Sequence, residues 1–480
     1  MGASVDIDRH TGLIAAGEPR PFPVGPSTFA EIWERRTPES VAVVDGDLAW
    51  TTVELRQEVE RVARILTSRH VEARDRVAWV VGNDVTSIVS LLATVRVGAI
   101  WVGVSSRATE AEREQILADA TPAVILDALP DGDPDIVLGP LPDGAAPAAI
   151  AYTSGTTGTP KGAVHTQQQL LYPAAAAIET EGLAENARIG TPLPLSTLNI
   201  VLLGPLTALA CGGTAVIMRR ADAAGFAEDL DRDRVTRALV VPTIVHDLVA
   251  AGRSAVDFAS LQHLIMGGSG FDRTRAAAAQ EALGVPLIAS YGLSEAPTGV
   301  ARMRVGEPGA RALPGVDISV DAGGELSLAG HTSGPWAGCW RGTLGYWGRP
   351  DATATLWRDG RIRTGDAGTI DPDGRLLVTG RVGDMINRGG ATIAPAEVEA
   401  VLLSVDGVED AAVFGVPDER LGQAVAAAVV GTGDADRLRA AVRERLSGYK
   451  TPEHWLTVDA LPRNANGKVD RDELRRRVGS

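Results

Sequence analysis

Hydrophobic and polar positions repeat along this chain with two different periods. Residues 51–69 and 85–97 carry apolar side chains every three to four positions, which predicts helices, whereas residues 76–81 and 99–104 resemble short buried strands. Further strand-like runs, separated by helical segments, occur at residues 238–241, 264–266 and 286–291. This alternation predicts an α/β fold of layered, mainly parallel sheets, in which ligands bind at the carboxyl ends of the strands.

The pattern becomes β-rich after residue 315. Residues 321–324 form a turn signal between alternating runs at 316–320 and 325–329, and Asp371-Pro-Asp-Gly374 separates two further runs at 361–370 and 375–379. Both arrangements predict hairpins.

About a hundred residues follow Gly380, which is enough for a small α+β domain. We therefore predict an N-terminal domain of residues 1–380, with its β-rich part at about 315–380, and a C-terminal domain of residues 381–480. Residues 334–342, which include Trp336 and Trp340, look like an insertion with a default role in surface packing.

Composition narrows the class of protein. The formal net charge of −15 makes a nucleic-acid partner improbable, and the apolar fraction of 45% is typical of a globular chain. The two cysteines, Cys211 and Cys339, have no spacing that suggests zinc or a disulfide framework. No secretory signal and no apolar run of about 20 residues are visible. We expect a soluble, cytoplasmic protein without a membrane partner, either monomeric or homodimeric.

The most informative stretch for chemistry is residues 152–162, Tyr-Thr-Ser-Gly-Thr-Thr-Gly-Thr-Pro-Lys-Gly. Its glycines let backbone N–H groups converge, its hydroxyls add donors, and Lys161 adds positive charge, so it is suited to a polyphosphate. Lys161 is followed by Gly162 and Ala163 rather than by Ser or Thr, which distinguishes the stretch from the P-loop of ordinary NTPases. The cradle residues are Thr153, Ser154, Gly155, Thr156, Thr157, Gly158 and Lys161.

Other polar motifs follow in order along the chain. Tyr291-Gly-Leu-Ser-Glu295 closes a predicted strand, and Arg363-Thr-Gly-Asp366 lies in a predicted hairpin. Residues 380–390, Gly-Arg-Val-Gly-Asp-Met-Ile-Asn-Arg-Gly-Gly, are followed by Ile-Ala-Pro-Ala-Glu-Val-Glu at 393–399. Near the end, Asn-Gly at 466–467 precedes Lys468. Each motif alone could be an ordinary turn or surface group.

Taken together, these five motifs resemble the adenylate-forming superfamily, which includes acyl-CoA and aryl-CoA ligases, from about residue 28 to 475. The resemblance implies that Tyr291, Gly292 and Ser294 contact the nucleotide, that Glu295 holds Mg²⁺, and that Asp366 binds the ribose. It further implies that Arg381 contacts the nucleotide, that Lys468 is the catalytic lysine, and that a mobile C-terminal domain turns about a hinge at Gly383. Thr153, Lys161, Glu295 and Lys468 are the predicted catalytic residues.

The implied reaction has two halves. A carboxylic acid attacks the α-phosphate of ATP and releases pyrophosphate, and a thiol then attacks the acyl-adenylate and expels AMP. Because two anions meet in the first half, Lys468 and Mg²⁺ are needed to neutralise charge. The Gly-Gly and Ile-x-Pro pattern of residues 389–395 resembles that of acyl-CoA and aryl-CoA ligases, which favours CoA as the thiol, and a carrier protein remains the alternative.

The acid itself is predicted from the residues expected around its pocket. Thr197 matches the position where amino-acid-activating relatives have an aspartate, so α-amino acids are disfavoured. Small residues leave room for a bulky aromatic, alicyclic or terpenoid acid. The predicted lining is Ser196, Thr197, Gly267, Gly268, Ser290, Gly292, Pro297 and Thr298.

Two other classes of function stay open on the sequence. A nucleotide-dependent kinase could use the same loop but would release ADP. A non-catalytic nucleotide- or acid-binding relative is the second, and Glu295, Asp366 and Lys468 argue against it.

Overall fold

The computed structural model describes residues 6–153, 160–267, 273–388, 391–432, 434–463 and 469–478. Two compact units are formed. The larger comprises Met1–Ile318 and Leu328–Arg363, and the smaller comprises Ser319–Ser327 and Thr364–Ser480. This division by contacts differs from the predicted boundary between residues 380 and 381. The predicted assignment of domains to nucleotide binding and to the catalytic lysine stays a prediction.

The strands are β1 Val41–Asp45, β2 Leu48–Thr51, β3 Arg76–Val81, β4 Ile100–Ser105, β5 Val124–Leu126, β6 Pro147–Thr153, β7 Lys161–Thr166, β8 Arg188–Thr191, β9 Thr214–Ile217, β10 Arg237–Val240, β11 His263–Gly267, β12 Leu287–Leu293, β13 Thr298–Arg304, β14 Arg311–Ala312, β15 Val316–Val320, β16 Glu325–Gly330, β17 Trp357–Arg358, β18 Arg361–Ile370, β19 Leu376–Arg381, β20 Ile386–Arg388, β21 Ala391–Ile393, β22 Val408–Asp418, β23 Gly422–Gly431 and β24 His454–Thr457.

The α-helices are α1 Phe29–Glu34, α2 Thr52–Ser68, α3 Val85–Arg96, α4 Glu110–Ala120, α5 Gln167–Glu181, α6 Leu198–Val201, α7 Thr207–Ala210, α8 Ala223–Arg232, α9 Pro242–Ala250, α10 Arg273–Leu283, α11 Pro350–Leu356, α12 Pro395–Leu403, α13 Ala435–Arg445 and α14 Arg471–Val478. Leu202–Leu206 is a π-helical turn, and Ala255–Asp257, Val382–Asp384 and Gly448–Lys450 are 3₁₀ turns. Among the described residues, no helix is long and apolar enough to span a membrane.

Helix α2 shows how the sequence pattern becomes structure. The Thr51 hydroxyl accepts the Glu54 N–H while the Glu54 carboxylate accepts the Thr51 N–H, which forms a capping box at the first turn. Leu55, Val59 and Leu66 then fall on one face and are fully or almost fully buried.

Two sheets organise the larger unit. One has the order β14-β13-β12-β11-β10-β8-β9-β1-β2, and its pairings from β1 through β9, β8, β10 and β11 to β12 are parallel. The other has the order β5-β3-β4-β6-β7 and is parallel except for β6 with β7. These mainly parallel layers, with helices between the strands, are the architecture that the sequence predicts.

A third sheet has the order β15-β16-β18-β17, with β19 beside β18. The smaller unit also contains a sheet of order β21-β20-β23-β22, with β24 beside β23. Alternate residues of β22 and β23 enter two separate cores, for example Val413 in one and Phe414 in the other. Both faces of this sheet are therefore covered, as expected for a small α+β unit.

The segment at residues 334–342 is not the surface element that its sequence suggests. Trp336 and Trp340 are 7% and 1% exposed and belong to the main core of the larger unit. The Trp336 ring stacks against Phe22 at 6.1 Å and meets Tyr172 edge-on. The prediction of a surface role was wrong, because the two large indole rings are buried although their neighbours are small and rich in glycine.

Candidate active site

The phosphate-loop motif is carried by two antiparallel strands. Thr153 ends β6 and pairs with Lys161, the first residue of β7. The hairpin strands are buried beneath this point, with Ala151 and Ala163 in the core. Ser154, Gly155, Thr156, Thr157 and Gly158 lie outside the described residues, so their contacts with phosphate stay predictions.

The carboxylate motif at the end of β12 is held through its backbone. The carbonyl oxygen of Ser294 accepts a hydrogen bond from Nε2 of His165 at 2.7 Å, and that of Glu295 accepts one from the N–H of Thr343 at 2.8 Å. Burial lowers the pKa of His165 to about 4, against the opposing effect of the Ser294 carbonyl. The ring is therefore neutral near pH 7, with its proton on Nε2 because a carbonyl can only accept.

Tyr346 connects two of the predicted catalytic residues. Its hydroxyl donates to Oε1 of Glu295 at 2.5 Å, and Nζ of Lys161 lies over its ring, 5.4 Å from the centroid. Tyr346 belongs to none of the sequence motifs, and its partners are distant in the chain. A Gly-Tyr pair beside the glycine-rich segment 334–342 is the only local signal.

Tyr291 and Gly292 lie on the same strand as this motif. Tyr291 is half-buried and packs against the main core, while Gly292 is exposed. Gly292 pairs with Gly299 of β13, and the neighbouring Leu293 pairs with Thr298. Stacking of Tyr291 on a purine stays a prediction.

Part of the predicted acid pocket is assembled at the ends of neighbouring strands. Gly267, the last residue of β11, pairs with Ser290 of β12, and a Cβ atom added at Gly267 would meet no atom within 4 Å. Gly299 approaches Ser290 so closely that an added Cβ would lie 2.8 Å from its Oγ. Pro297 is buried, Gly268 lies outside the described residues, and nothing is described of the Thr298 side chain.

The other predicted lining residues lie between β8 and α6, and Ser196 lies against the second sheet. Ser196 is buried and Thr197 is exposed. A Cβ atom at Gly103, near the carboxyl end of β4, would lie 2.3 Å from the Ser196 carbonyl oxygen. Asn83 anchors the preceding residues by accepting the Leu195 N–H and donating to the Leu193 carbonyl.

In the smaller unit, two predicted nucleotide residues form an ion pair. Nε of Arg381 lies 2.7 Å from Oδ1 of Asp366, whose side chain is 9% exposed, while the Arg381 side chain is half exposed. Thr364 accepts the Asp366 N–H, and Gly365 between them has φ +69°, a conformation that favours glycine.

The predicted hinge residue has few close neighbours. Gly383 lies in the 3₁₀ turn Val382–Asp384, is exposed, and has no atom within 4 Å of an added Cβ. Lys468 lies outside the described residues.

The donor set at Glu295 fits one kind of metal site. In the part of the chain that the structure describes, no three His, Cys, Asp or Glu residues gather to form a metal cage. Mg²⁺ in nucleotide enzymes is bound by one or two carboxylates together with substrate phosphates. A single carboxylate beside the phosphate-loop strands suits that arrangement.

Comparison with known proteins identifies the family. The profile of the AMP-binding enzymes matches residues 30–138 and 133–332, and that of the AMP-binding enzyme C-terminal domain matches residues 397–468. A feruloyl-CoA synthase from Amycolatopsis sp. is 33% identical, with 93% of this chain and 97% of that protein covered. An indoleacetate–CoA ligase from Aromatoleum aromaticum is 31% identical, with 100% and 98% covered.

A solved structure agrees with these matches. The o-succinylbenzoate CoA synthetase from Bacillus subtilis, in complex with the acyl-adenylate intermediate OSB-AMP, superposes with a TM-score of 0.83 at 25% identity, covering 94% of this chain and 98% of that chain.

The fold and the matches define an adenylate-forming enzyme, and the chain belongs to the family of AMP-binding enzymes. Within that class it is an acid–thiol ligase of the AMP-forming acyl-CoA synthetase type. The superfamily resemblance read from the five motifs is thereby confirmed.

Proposed function

We propose that this enzyme uses ATP to convert a bulky, mainly apolar carboxylic acid of aromatic character into its CoA thioester. The observation that supports the adenylation step is that Lys161 and Glu295 both contact Tyr346, because these contacts link the strand pair proposed to bind phosphate to the carboxylate proposed to bind the metal. The aromatic acid and CoA are supported by the names of the feruloyl and indoleacetate relatives.

In the first half-reaction, a carboxylate oxygen of the acid attacks the α-phosphorus of ATP, and the bond to pyrophosphate breaks. Thr153 to Lys161 are proposed to hold the phosphates and Lys468 to bridge the acid and the α-phosphate. Magnesium bound by Glu295 would neutralise phosphate charge. Asp366, oriented by Arg381, is proposed to accept the ribose hydroxyls, with Tyr291, Gly292 and Ser294 around the base.

In the second half-reaction, a thiolate attacks the acyl carbon and AMP leaves with the electron pair of the anhydride bond. The C-terminal region is proposed to turn about Gly383 between the two halves, where an exposed glycine without close neighbours permits changes of φ and ψ. CoA is the proposed thiol, and a carrier protein is the alternative.

A panel of carboxylic acids, scored for AMP and pyrophosphate, tests the proposal. We expect aromatic acids such as cinnamic and indole acids to give both products with CoA and acetate or free α-amino acids to give little. Release of ADP would indicate a kinase instead. Binding of ATP with no turnover of any acid would indicate a non-catalytic relative.

The pocket assignment predicts a change of acid preference in Thr197→Trp. Thr197 is exposed, so the indole can enter the proposed cavity without first disrupting the core. If the indole removes roughly 100 Å² of apolar contact between the pocket and a bulky acid, the transition state for that acid loses about 2.5 kcal/mol of stabilisation. This corresponds to a decrease in kcat/KM of about 70-fold. For smaller acids, kcat/KM should decrease far less.

The control is Thr197→Ser, which keeps the residue small and should leave the ranking of acids as in the unmodified enzyme. An identical ranking in Thr197→Trp would mean that Ser196 and Thr197 do not line the acid pocket.

A further inference from the structure

A tyrosine outside all the sequence motifs contacts both sides of the proposed phosphate site. The hydroxyl of Tyr346 lies 2.5 Å from Oε1 of Glu295, and its ring carries the Lys161 ammonium on one face. Tyr346 is 8% exposed, so these contacts are made inside the protein rather than by a surface side chain.

The backbone around Tyr346 fixes its position. Gly345 accepts the N–H of Val164 at 2.9 Å, and Trp347 donates to the Gly162 carbonyl at 2.9 Å, so this segment forms an isolated antiparallel bridge with β7. The Tyr346 N–H donates to Oγ1 of Thr353 at 2.9 Å. Strand β7 also begins with Lys161, and the tyrosine is therefore tied to the strand that presents the lysine.

The carboxylate of Glu295 is held asymmetrically. The backbone carbonyl oxygen of Glu295 accepts the Thr343 N–H, and the side-chain oxygen Oε1 accepts the Tyr346 hydroxyl. Of the residues that the structure describes, none hydrogen-bonds Oε2, and Glu295 is only partly buried. One carboxylate oxygen is thus restrained while the other stays available to a ligand.

We propose that Tyr346 is a positioning residue that orients Glu295 so that Oε2 binds the magnesium of the nucleotide. This inference rests on the proposed function, because it assigns Glu295 to the metal. Groups that orient a ligating side chain in this way typically change metal affinity by about 10- to 100-fold when removed. The ring of Tyr346 also supports Lys161 by a cation–π contact, which Tyr346→Phe retains.

The test is the metal dependence of Tyr346→Phe. We expect the Mg²⁺ concentration for half-maximal acid-dependent ATP–pyrophosphate exchange to rise about tenfold. In calorimetry without acid, ATP affinity in EDTA should be unchanged, whereas its enhancement by Mg²⁺ should be reduced by a similar factor. A merely structural role would instead lower activity or stability without shifting the metal titration.

Two comparisons sharpen the result. Tyr172→Phe removes another buried hydroxyl of the same unit, which donates to the Pro314 carbonyl at 3.0 Å, and should leave the metal titration unchanged. In a Glu295→Gln background, Tyr346→Phe should cause no further shift, because both changes act on the same ligand.

A matched pair of unnatural residues covers the case in which Tyr346→Phe does not fold. At position 346, 4-aminophenylalanine keeps a donor and should retain the normal metal dependence, whereas 4-methylphenylalanine fills the same space without a donor and should show the shift. Equal metal titrations in this pair, or in Tyr346→Phe and the unmodified enzyme, would overturn the inference. If the unmodified enzyme activates no acid, the proposed function fails, and the calorimetric comparison still tests the link between Tyr346 and metal.

Discussion

Replacing Lys468 by alanine is expected to slow acyl-adenylate formation by about 10²- to 10³-fold while leaving thioester formation from a supplied acyl-adenylate nearly intact. The reason is electrostatic. The first half-reaction brings a carboxylate against a phosphate, and loss of one well-placed donor at such a site costs about that factor. In the second half-reaction the former carboxylate is already the uncharged acyl group of a mixed anhydride. The Lys468 ammonium therefore has no pair of anions to bring together.

Single-turnover measurements of the two half-reactions check this prediction. Lys450→Ala is the matched control, because Lys450 forms an ion pair with Glu397 at 2.6 Å within the smaller unit and has no proposed catalytic role. A similar loss in both half-reactions of Lys468→Ala would show that the residue maintains structure or binds nucleotide throughout the cycle.

The second prediction with a large expected effect concerns the free energy of unfolding rather than turnover. In the larger unit, the carboxylate of Glu181 is 5% exposed and contacts two guanidinium groups and an imidazole. Arg302 donates to Oε1, Arg237 lies 3.1 Å from Oε2, and His263 lies 3.0 Å from Oε2. Glu181→Gln leaves the two buried arginines without their counter-charge, so we expect the free energy of unfolding to fall by about 3–5 kcal/mol.

The pH dependence of this loss follows from the pKa of Glu181. Burial by itself raises that pKa, but Arg237 and Arg302 outweigh it and lower the value from 4.5 to about 2. A carboxyl group whose pKa is lowered by folding stabilises the protein above its unfolded pKa, and this contribution disappears as the pH falls through the folded pKa. The difference between Glu181→Gln and the unmodified protein should therefore shrink between about pH 4.5 and pH 2.

Urea denaturation at several pH values measures both effects. Glu179→Gln, an exposed substitution in the same helix, is the control and should change stability little at any pH. A loss in Glu181→Gln that matched this control would mean that the arginines find other partners.

Elements and motifs that consist of consecutive residues are predicted well from the sequence. The α/β layering, the strands β3 and β12 and the hairpin around Asp371 follow from local periodicity and turn residues, and short motifs give the candidate roles of Glu295 and Asp366. In each case the signal is contained within about ten residues, which local propensity and motif analysis can detect.

What the sequence does not give depends on pairs of residues far apart in the chain. Tyr346 is 51 positions from Glu295, and His165 is 129 positions from Ser294. Glu181 and Arg302 are likewise ordinary charged residues until folding buries them together. For Trp336 the default prediction of a surface role was misleading, since the larger unit buries the ring.

The smaller unit also has a consequence for how this enzyme could be taken apart. Residues 319–327 belong to it although the chain passes through another unit before returning at Thr364. Within it, Thr364 donates to the Leu326 carbonyl at 2.8 Å, and Glu325 accepts the Gly365 N–H at 3.1 Å. A gene fragment that began at codon 364 would encode Asp366 without this support, so the two units cannot be exchanged between relatives by a single crossover. A modular swap needs three junctions, before residue 319, after residue 327 and before residue 364.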